Sequence, residues 1–332
     1  MLMELRKLGK SDVKITPVAF GAWAIGGWMW GGAEKNAAVK AIRKSIDLGI
    51  TTIDTAPVYG FGQSEEITGE AIKGLRDKVQ ILTKFGLRWN DTKGKFFMAT
   101  KDNSGNDIDL YGYSAKDSVI KECEDSLRRL DTDYIDLLQI HWPDPTTPVE
   151  ETMEALNILM EQGKVRAAGV SNYDVQLMEE AEKVTVLASN QVPYSMLKRD
   201  IEKDVVPWCI SNDVGILAYS PLQRGLLTGK FSPGHKFREG DARGGLIWFK
   251  KENIVRVNSF LDKLRPLAES KSASLSQLVL RWTIQQPGIT CALAGARDPE
   301  QVSENAGTLG FSLTDEELKF INLELAKLDL VS

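Results

Sequence analysis

A regular alternation of short apolar runs and amphipathic stretches constrains the fold of this chain more than any other feature. Each apolar run is followed by a stretch whose apolar residues recur at helical spacing, and this unit occurs eight times between Val18 and Gly307. The runs are apolar throughout rather than alternating, which is typical of parallel strands buried on both faces. The eight runs are VAFGAWAI, TTIDTA, KVQILTKF, YIDLLQI, KVRAAGVSN, ASNQV, GILAYS and TCALAGA.

Eight parallel strands with crossover helices close most naturally into a (β/α)₈ TIM barrel. An open doubly wound sheet is the alternative, and it usually carries a G-x-G-x-x-G turn after its first strand. The first run is followed by AIGGWMWGGAEK instead, and neither that turn nor a G-x-x-x-x-G-K-[ST] phosphate loop occurs in the sequence. We therefore predict an α/β protein with a single barrel domain over residues 1–332.

Several segments stand outside the eight units. MELRKLG and VKITPV predict an N-terminal β-hairpin cap, and TDEELKFINLELAKL predicts a C-terminal helix. Two polar segments, residues 86–114 and 222–251, are predicted to be insertions after the third and seventh barrel strands, on the catalytic face. Ser64, Ser114 and Thr314 precede helical runs and are predicted to be helix N-caps.

Composition excludes several classes of function. The net charge of the chain is −5, and its Lys and Arg residues are dispersed, so we expect no nucleic-acid partner. No apolar run approaches the roughly 18 residues that a membrane span needs, and the amino terminus has no signal-peptide core. The three cysteines are odd in number and far apart, which argues against disulfides and a cysteine metal site. We expect a cytoplasmic protein without membrane partner or metal.

Polar side chains stand where the predicted strands end, and barrel active sites collect at those ends. Asp54, Lys84 and His141 end the second, third and fourth strands, and Tyr59 follows the second. Buried polar groups need partners, so these four should meet. We expect Lys84 to lower the pKa of Tyr59 and Asp54 to keep Lys84 charged, which would make Tyr59 a proton donor near neutral pH.

Taken singly, each of these residues has a structural explanation as a cap, a surface charge or a packed ring. In combination, the sequence resembles the aldo-keto reductase superfamily over essentially its whole length, most closely the bacterial general-stress and inositol-utilisation reductases. The resemblance implies reduction of aldehydes or ketones by a nicotinamide, with a catalytic tetrad of Asp54, Tyr59, Lys84 and His141. The motifs that carry it are TTIDTAPVYGFGQSEEITGEAI, TKF, LLQIHWPD, GKVRAAGVSNYD, AYSPLQRGLLTGK and ALAGARDPEQVSENAG.

The same resemblance assigns cofactor contacts. It implies that Ser171, Asn172 and Gln191 hold the nicotinamide amide and that Tyr219 stacks on the ring. An Arg suits a ribose phosphate, so Arg297 favours NADPH over NADH. Trp23 and Trp142 are predicted to be aromatic walls of the substrate pocket. The remaining predicted contacts are Ser220, Leu222, Arg224, Gly225, Leu226 and Lys230 at the pyrophosphate, and Gly295, Ala296, Arg297, Gln301, Glu304 and Asn305 at the adenosine end.

Two other functions stay open at this stage. One is an NADPH-sensing regulatory subunit of the potassium-channel β type, although we expect no extra N-terminal segment that could act on a partner. The other is Schiff-base chemistry at Lys84, which needs a neutral amine and which Asp54 would oppose. The expected partner is a small carbonyl substrate, and the sequence leaves monomer and homo-oligomer both open.

Overall fold

In the computed structural model, which describes residues 4–30, 34–238 and 240–331, the predicted barrel forms from eight parallel strands. With strands numbered along the chain, these strands close in the order β10-β11-β12-β13-β3-β4-β5-β9, and each of them corresponds to one predicted run. Their bounds are β3 (Val18–Gly21), β4 (Thr52–Asp54), β5 (Gln80–Phe85), β9 (Leu137–Ile140), β10 (Ala168–Ser171), β11 (Leu187–Pro193), β12 (Gly215–Tyr219) and β13 (Ile289–Gly295).

Helices pack around the outside of the barrel and bury their apolar faces against it. Helix α3, for example, buries Val119, Cys123 and Leu130. The C-terminal helix is confirmed as α10. The helices are α1 (Lys35–Asp47), α2 (Gln63–Ile72), α3 (Lys116–Leu130), α4 (Val149–Glu161), α5 (Val175–Glu182), α6 (Val205–Asn212), α7 (Lys251–Ser270), α8 (Leu275–Ile284), α9 (Pro299–Ala306) and α10 (Asp315–Leu325).

The predicted helix caps are right in one case of three. Thr314 caps α10 in a capping box with Glu317. The other two predictions are wrong, because both hydroxyls are engaged by buried groups elsewhere. Ser64 lies inside α2 and donates to the carbonyl of Ala22, and Ser114 precedes the cap of α3 and bonds the carboxylate of Asp144.

The predicted N-terminal hairpin closes the amino-terminal end of the barrel. Strands β1 (Arg6–Lys7) and β2 (Lys14–Ile15) pair antiparallel, while Met3, the first residue of the predicted hairpin, lies outside the described residues. Leu8 and Ile15 are fully buried against the lowest layer of barrel side chains, including Leu82 and Leu217. The hairpin therefore seals one end with apolar side chains and leaves the carboxyl end for chemistry.

The first insertion is an antiparallel sheet rather than a polar loop. Strands β6 (Leu87–Arg88), β7 (Lys95–Lys101) and β8 (Asp107–Gly112) pair in the order β6-β8-β7. We call residues 95–112 the ribbon. At its tip, the side-chain amide of Asn103 donates to the carbonyl oxygens of Gly26 (2.9 Å) and Gly60 (3.4 Å), which belong to loops after β3 and β4.

The second insertion crosses the carboxyl end of the barrel, and we call residues 222–251 the strap. It docks on the loop after β3, where Trp30 and Asp241 form an antiparallel bridge and the N–H of Ala242 donates to the carbonyl of Met29. Arg243 pairs with Asp241 and lies 4.9 Å from the centroid of the Trp30 ring. Both insertions thus lie on the predicted face of the barrel.

Replacing Glu122 with Gln should make stability less dependent on pH. Glu122 accepts hydrogen bonds from the Gly86 N–H (2.9 Å) and the Ser118 hydroxyl (3.0 Å), yet burial raises its pKa from 4.5 to about 7. The folded protein therefore holds a proton that the unfolded chain releases. The free energy of unfolding should fall as the pH rises from 4.5 through 7, and Glu122→Gln should reduce that fall.

Urea unfolding at several pH values measures this effect. The control is Glu124→Gln, which changes an exposed carboxylate on the same helix. Identical pH dependence in the wild type and in Glu122→Gln would contradict the expectation.

Candidate active site

A fully buried ion pair lies inside the carboxyl end of the barrel. The ammonium of Lys84, on β5, donates to a carboxylate oxygen of Asp54, on β4, at 2.8 Å and to the carbonyl of Thr55 at 2.9 Å. The second carboxylate oxygen of Asp54 accepts from the amide of Gln191, on β11, at 2.8 Å. Side chains from three strands are therefore connected through one carboxylate.

Tyr59 and His141 lie directly beside this pair. The Lys84 ammonium is 4.9 Å from the centroid of the Tyr59 ring, and the rings of Tyr59 and His141 meet edge to face at 5.7 Å. Tyr59 lies on a loop with little freedom, because a Cβ atom on Gly60 would stand 2.1 Å from the carbonyl oxygen of Gly26. The structure thus brings the four predicted tetrad residues together.

The electrostatics differ from the sequence expectation. We expected Lys84 to lower the pKa of Tyr59, but burial, followed by the charge of Asp54, raises the pKa of Tyr59 well above 10.0. Burial also lowers the pKa of Lys84, although Asp54 acts in the opposite direction. Burial and then Lys84 hold the pKa of His141 well below 6.5. Tyr59 is thus a neutral phenol and His141 a neutral imidazole near pH 7.

The predicted nicotinamide contacts lie next to the tetrad. The Tyr219 hydroxyl donates to the side-chain carbonyl of Asn172 at 2.9 Å, and the Asn172 amide donates to the Ser171 hydroxyl and to the His141 carbonyl, each at 3.0 Å. The Ser171 hydroxyl donates in turn to the Gln191 carbonyl at 2.9 Å, so all four predicted residues belong to one hydrogen-bond network. This network holds their polar atoms at the rim, beside Tyr59.

The turn after β12 has an unusual backbone. Ser220, Gln223 and Arg224 have positive φ angles of 55°, 47° and 53°, and Gly225 follows at 96°. The N–H groups of Gln223 and Gly225 are bonded within the turn, to the carbonyls of Ser220 (2.8 Å) and Leu222 (2.9 Å), so an anion here would be bound mainly by the Arg224 guanidinium. Of the other predicted contacts here, Leu222 is half-buried, Leu226 is buried and Lys230 is exposed. The residues present fit a pyrophosphate.

The predicted cofactor contacts after β13 differ in their exposure and in their hydrogen bonding. Arg297 is exposed, and its guanidinium has no hydrogen bond or ion pair among the described residues. The other polar side chains already have internal partners. Gln301 accepts from the Arg297 N–H, Asn305 donates to the Gly295 carbonyl, and Glu304 accepts from the Ser274 hydroxyl. Gly295 is exposed and Ala296 is buried.

Comparison with known proteins extends this picture. A model of the Aldo/keto reductase family matches residues 17–323. Aldo-keto reductase YhdN of Bacillus subtilis (strain 168) is 39% identical over 323 residues, covering 96% of this chain and 93% of that protein. The NADH-specific methylglyoxal reductase of Escherichia coli (strain K12) is 37% identical over 316 residues, covering 93% of this chain and 94% of that protein.

The chain belongs to the aldo/keto reductase family. It is an oxidoreductase with the family's barrel. The solved structure of the glycerol dehydrogenase AKR11B4 from Gluconobacter oxydans has a TM-score of 0.89 at 39% identity, covering 100% of this chain and 98% of that one. An aldo-keto reductase from Klebsiella pneumoniae in complex with NADPH has a TM-score of 0.72 at 29% identity, covering 100% of both chains.

In this aldo/keto reductase, aromatic side chains surround Tyr59 on its outer side. Trp23 stacks on the Tyr59 ring at 6.0 Å, as expected of a pocket wall. Trp142 is different, because it is 36% exposed and contacts Phe97 of the ribbon, outside the cluster that contains Trp23 and Tyr59. The role of Trp142 as a pocket wall therefore stays a prediction.

Sequence reasoning missed two residues that organise this rim. Asn103 ties the ribbon to the Tyr59 loop, and Arg243 ties the strap to Trp30 and donates to the carbonyl of Arg224. The turn sequence DNSGN between two runs rich in aromatic and β-branched residues could have revealed the ribbon. No comparable signal marks Arg243. Further, no cluster of His, Cys, Asp or Glu suited to a metal, and no helix suited to crossing a membrane, occurs in the described part of the chain.

Replacing Lys84 with Met should destabilise the fold strongly. Lys84 is wholly buried and Asp54 almost so, and the change leaves a buried carboxylate without its counter-ion. Losing one partner of a buried pair costs about 3–5 kcal/mol. Urea unfolding measures the change, with Lys35→Met, which breaks the exposed pair with Glu70, as the control that should have little effect.

The double variant Asp54→Leu with Lys84→Met tests whether the lost stability comes from the unpaired buried charge rather than from lost packing. It should recover part of the lost free energy of unfolding, because no unpaired charge is left inside. A Lys84→Met variant as stable as the wild type would contradict the importance of the pair.

Proposed function

We propose that this oxidoreductase reduces small aldehydes and ketones to alcohols with NADPH, through one barrel domain that spans the chain. The observation that carries the proposal is the convergence of Tyr59 and His141 on one rim, above the buried Lys84–Asp54 pair. A bound nicotinamide dinucleotide supplies the hydride. The side chains of this chain provide everything else that the reduction needs.

In this proposal, Tyr59 is the proton donor. Burial raises its pKa, so its hydroxyl keeps its proton at neutral pH and can give it to the carbonyl oxygen of the substrate. His141 is neutral because burial lowers its pKa, and its ring N–H can donate a hydrogen bond to the same oxygen. Two donors on one oxygen would orient the carbonyl and stabilise the negative charge that develops there.

Lys84 and Asp54 support the proton transfer without touching the substrate. The ammonium lies close to the Tyr59 ring and favours the phenolate that remains after the proton has left. Asp54 opposes the loss of the Lys84 proton that burial promotes. The Schiff-base alternative needs an amine that can reach a substrate carbonyl, and it is disfavoured because Lys84 is wholly buried and held by Asp54 and the Thr55 carbonyl.

The proposed cofactor contacts form three groups, one for each part of the dinucleotide. Amide and hydroxyl groups of Ser171, Asn172 and Gln191 would hold the nicotinamide amide, with Tyr219 against its ring. The turn around Arg224 would bind the pyrophosphate chiefly through the Arg224 guanidinium. At the far end Arg297 would bind the ribose phosphate of NADPH.

The relatives bear on the substrate and on the cofactor. The Escherichia coli relative is named for methylglyoxal and the Gluconobacter structure for glycerol, which supports a small, oxygen-rich substrate for this chain. The complex from Klebsiella pneumoniae holds NADPH, whereas the Escherichia coli protein is named as NADH-specific. NADH is therefore the second candidate, and Arg297 is the residue that favours NADPH.

Tyr59→Phe should abolish turnover and leave cofactor binding nearly unchanged. The variant keeps the ring but loses the proton, and acid catalysis of this kind contributes about 100-fold or more. Steady-state kinetics with a simple aldehyde and fluorescence titration of the cofactor measure the two effects. Tyr111→Phe, on the ribbon, is the matched control. Near-normal turnover of Tyr59→Phe would exclude Tyr59 as the donor.

Arg297→Ala should weaken NADPH much more than NADH. The guanidinium would make a charge-assisted bond to a phosphate that NADH lacks, and its loss should raise the dissociation constant for NADPH about tenfold. Titration of each cofactor measures this, and Arg265→Ala, on the outer helix α7, is the control. Equal losses for both cofactors would remove the phosphate role.

A further inference from the structure

A carboxylate on helix α3 is bonded to the backbone just after barrel strand β5. Glu122 accepts from the N–H of Gly86 at 2.9 Å with one oxygen and from the Ser118 hydroxyl at 3.0 Å with the other. Gly86 has a φ angle of 88°, a left-handed conformation that turns the chain away from the strand. A carboxylate bonded to a backbone N–H forms a stronger hydrogen bond than two neutral groups do. Neither the tetrad nor the proposed cofactor contacts use this carboxylate.

The other edge of the same peptide group leads to the active site. The carbonyl oxygen of Phe85 accepts from the backbone N–H of His141 at 2.9 Å. This carbonyl and the Gly86 N–H belong to one peptide group, which is planar and rigid, and they point in opposite directions. Glu122 and the His141 backbone are therefore bonded to opposite edges of one rigid unit.

The position of the His141 ring depends on its backbone and on packing. Among the residues that the structure describes, the imidazole makes no hydrogen bond, and its ring contact is with Tyr59. The His141 backbone is held on both sides, by the Phe85 carbonyl and by the Asn172 amide, which donates to the His141 carbonyl at 3.0 Å. A change at the Phe85 carbonyl should therefore move the ring.

The charge of Glu122 strengthens both hydrogen bonds of this chain. An acceptor at the N–H of a peptide group polarises that group and makes its carbonyl a better acceptor. Burial raises the pKa of Glu122 to about 7, against its two hydrogen bonds and the charges of Arg88, on β6, and Arg129, on α3. The stronger, charged acceptor thus forms as the pH rises through 7.

We propose that Glu122 is a positioning residue for His141, which it holds through the peptide group between Phe85 and Gly86. Glu122 touches neither substrate nor cofactor. Without its acceptor, the turn at Gly86 is free to relax, and the Phe85 carbonyl and the His141 ring move with it. A small displacement of a group that orients a substrate can slow a reaction greatly. This inference rests on the proposed role of His141 in carbonyl reduction.

Steady-state kinetics with a simple aldehyde tests the positioning role. Glu122→Met removes the acceptor and should lower kcat about tenfold while KM changes far less, because His141 acts mainly on charge that develops in the transition state. Glu122→Gln should recover most of kcat, since its amide oxygen can accept from the Gly86 N–H. The matched control is Glu124→Met, which removes an exposed carboxylate from the same helix and should leave kcat unchanged.

NMR of the histidine rings gives a readout that does not depend on turnover. The chain has two histidines, and His235 lies in the strap, where it contacts Phe231 and Phe237. Glu122→Met should shift the ring signals of His141 and leave those of His235 in place, and Glu122→Gln should shift them less. In the wild type, the His141 signals should also move as Glu122 ionises near pH 7, and Glu122→Gln should lack that step.

Each outcome decides one question. Wild-type kcat or unshifted His141 signals in Glu122→Met overturn the positioning role. If Glu122→Met does not fold, wild-type His141 signals that show no step near pH 7 overturn it instead. Burial and then Lys84 hold the pKa of His141 itself well below 6.5, so such a step does not come from its own ring. A wild type that reduces no aldehyde or ketone, while its His141 signals respond to Glu122, counts against the proposed function and not against the link to Glu122.

Discussion

The rest of the active site depends on the buried pair between Lys84 and Asp54. A charge inside a protein is costly unless its partner and further hydrogen bonds compensate for lost water. Here the compensation comes from the chain itself, since the ammonium also reaches the Thr55 carbonyl and the carboxylate also accepts from Gln191. These contacts join the neighbouring strands β4 and β5 to β11, which lies across the barrel and comes close to the pair only because the sheet closes on itself. Barrel closure and the ion pair therefore support each other.

The loops above the pair are fixed by close backbone contact rather than by side-chain packing alone. A Cβ on Gly26 would lie 2.5 Å from the carbonyl oxygen of Tyr59, and one on Gly60 would lie 2.1 Å from that of Gly26. Asn103 joins both loops from the ribbon. Tyr59 thus lies between the buried ion pair and a loop held by close backbone contacts, and this fixed position is what the proposed proton donor would need.

The sequence predicted the barrel because eight buried strands leave eight apolar runs, and it predicted the tetrad because strand ends converge on one rim. The prediction missed the ribbon, since most β7 residues are exposed and give little burial pattern, and only the DNSGN turn indicates it. The sequence predicted the wrong direction for the pKa shift of Tyr59, because that direction depends on desolvation by the surrounding loops, which no local motif encodes. Ser64 looked like a cap because its acceptor, the carbonyl of Ala22, is distant in sequence.

The direction of the Tyr59 pKa shift decides how the proposed proton transfer works. If Lys84 lowered the pKa of Tyr59 below the working pH, the resting rim would carry a phenolate and could not donate. Because burial keeps both Tyr59 and His141 neutral, the proposed reduction would find two donors for one oxygen, and the nearby ammonium would act only when negative charge appears on Tyr59. The same desolvation that makes ionisation of Tyr59 costly at rest also strengthens its attraction to Lys84 once the proton has left. The buried rim thus favours a resting state ready to donate, and the ion pair stabilises the state that follows.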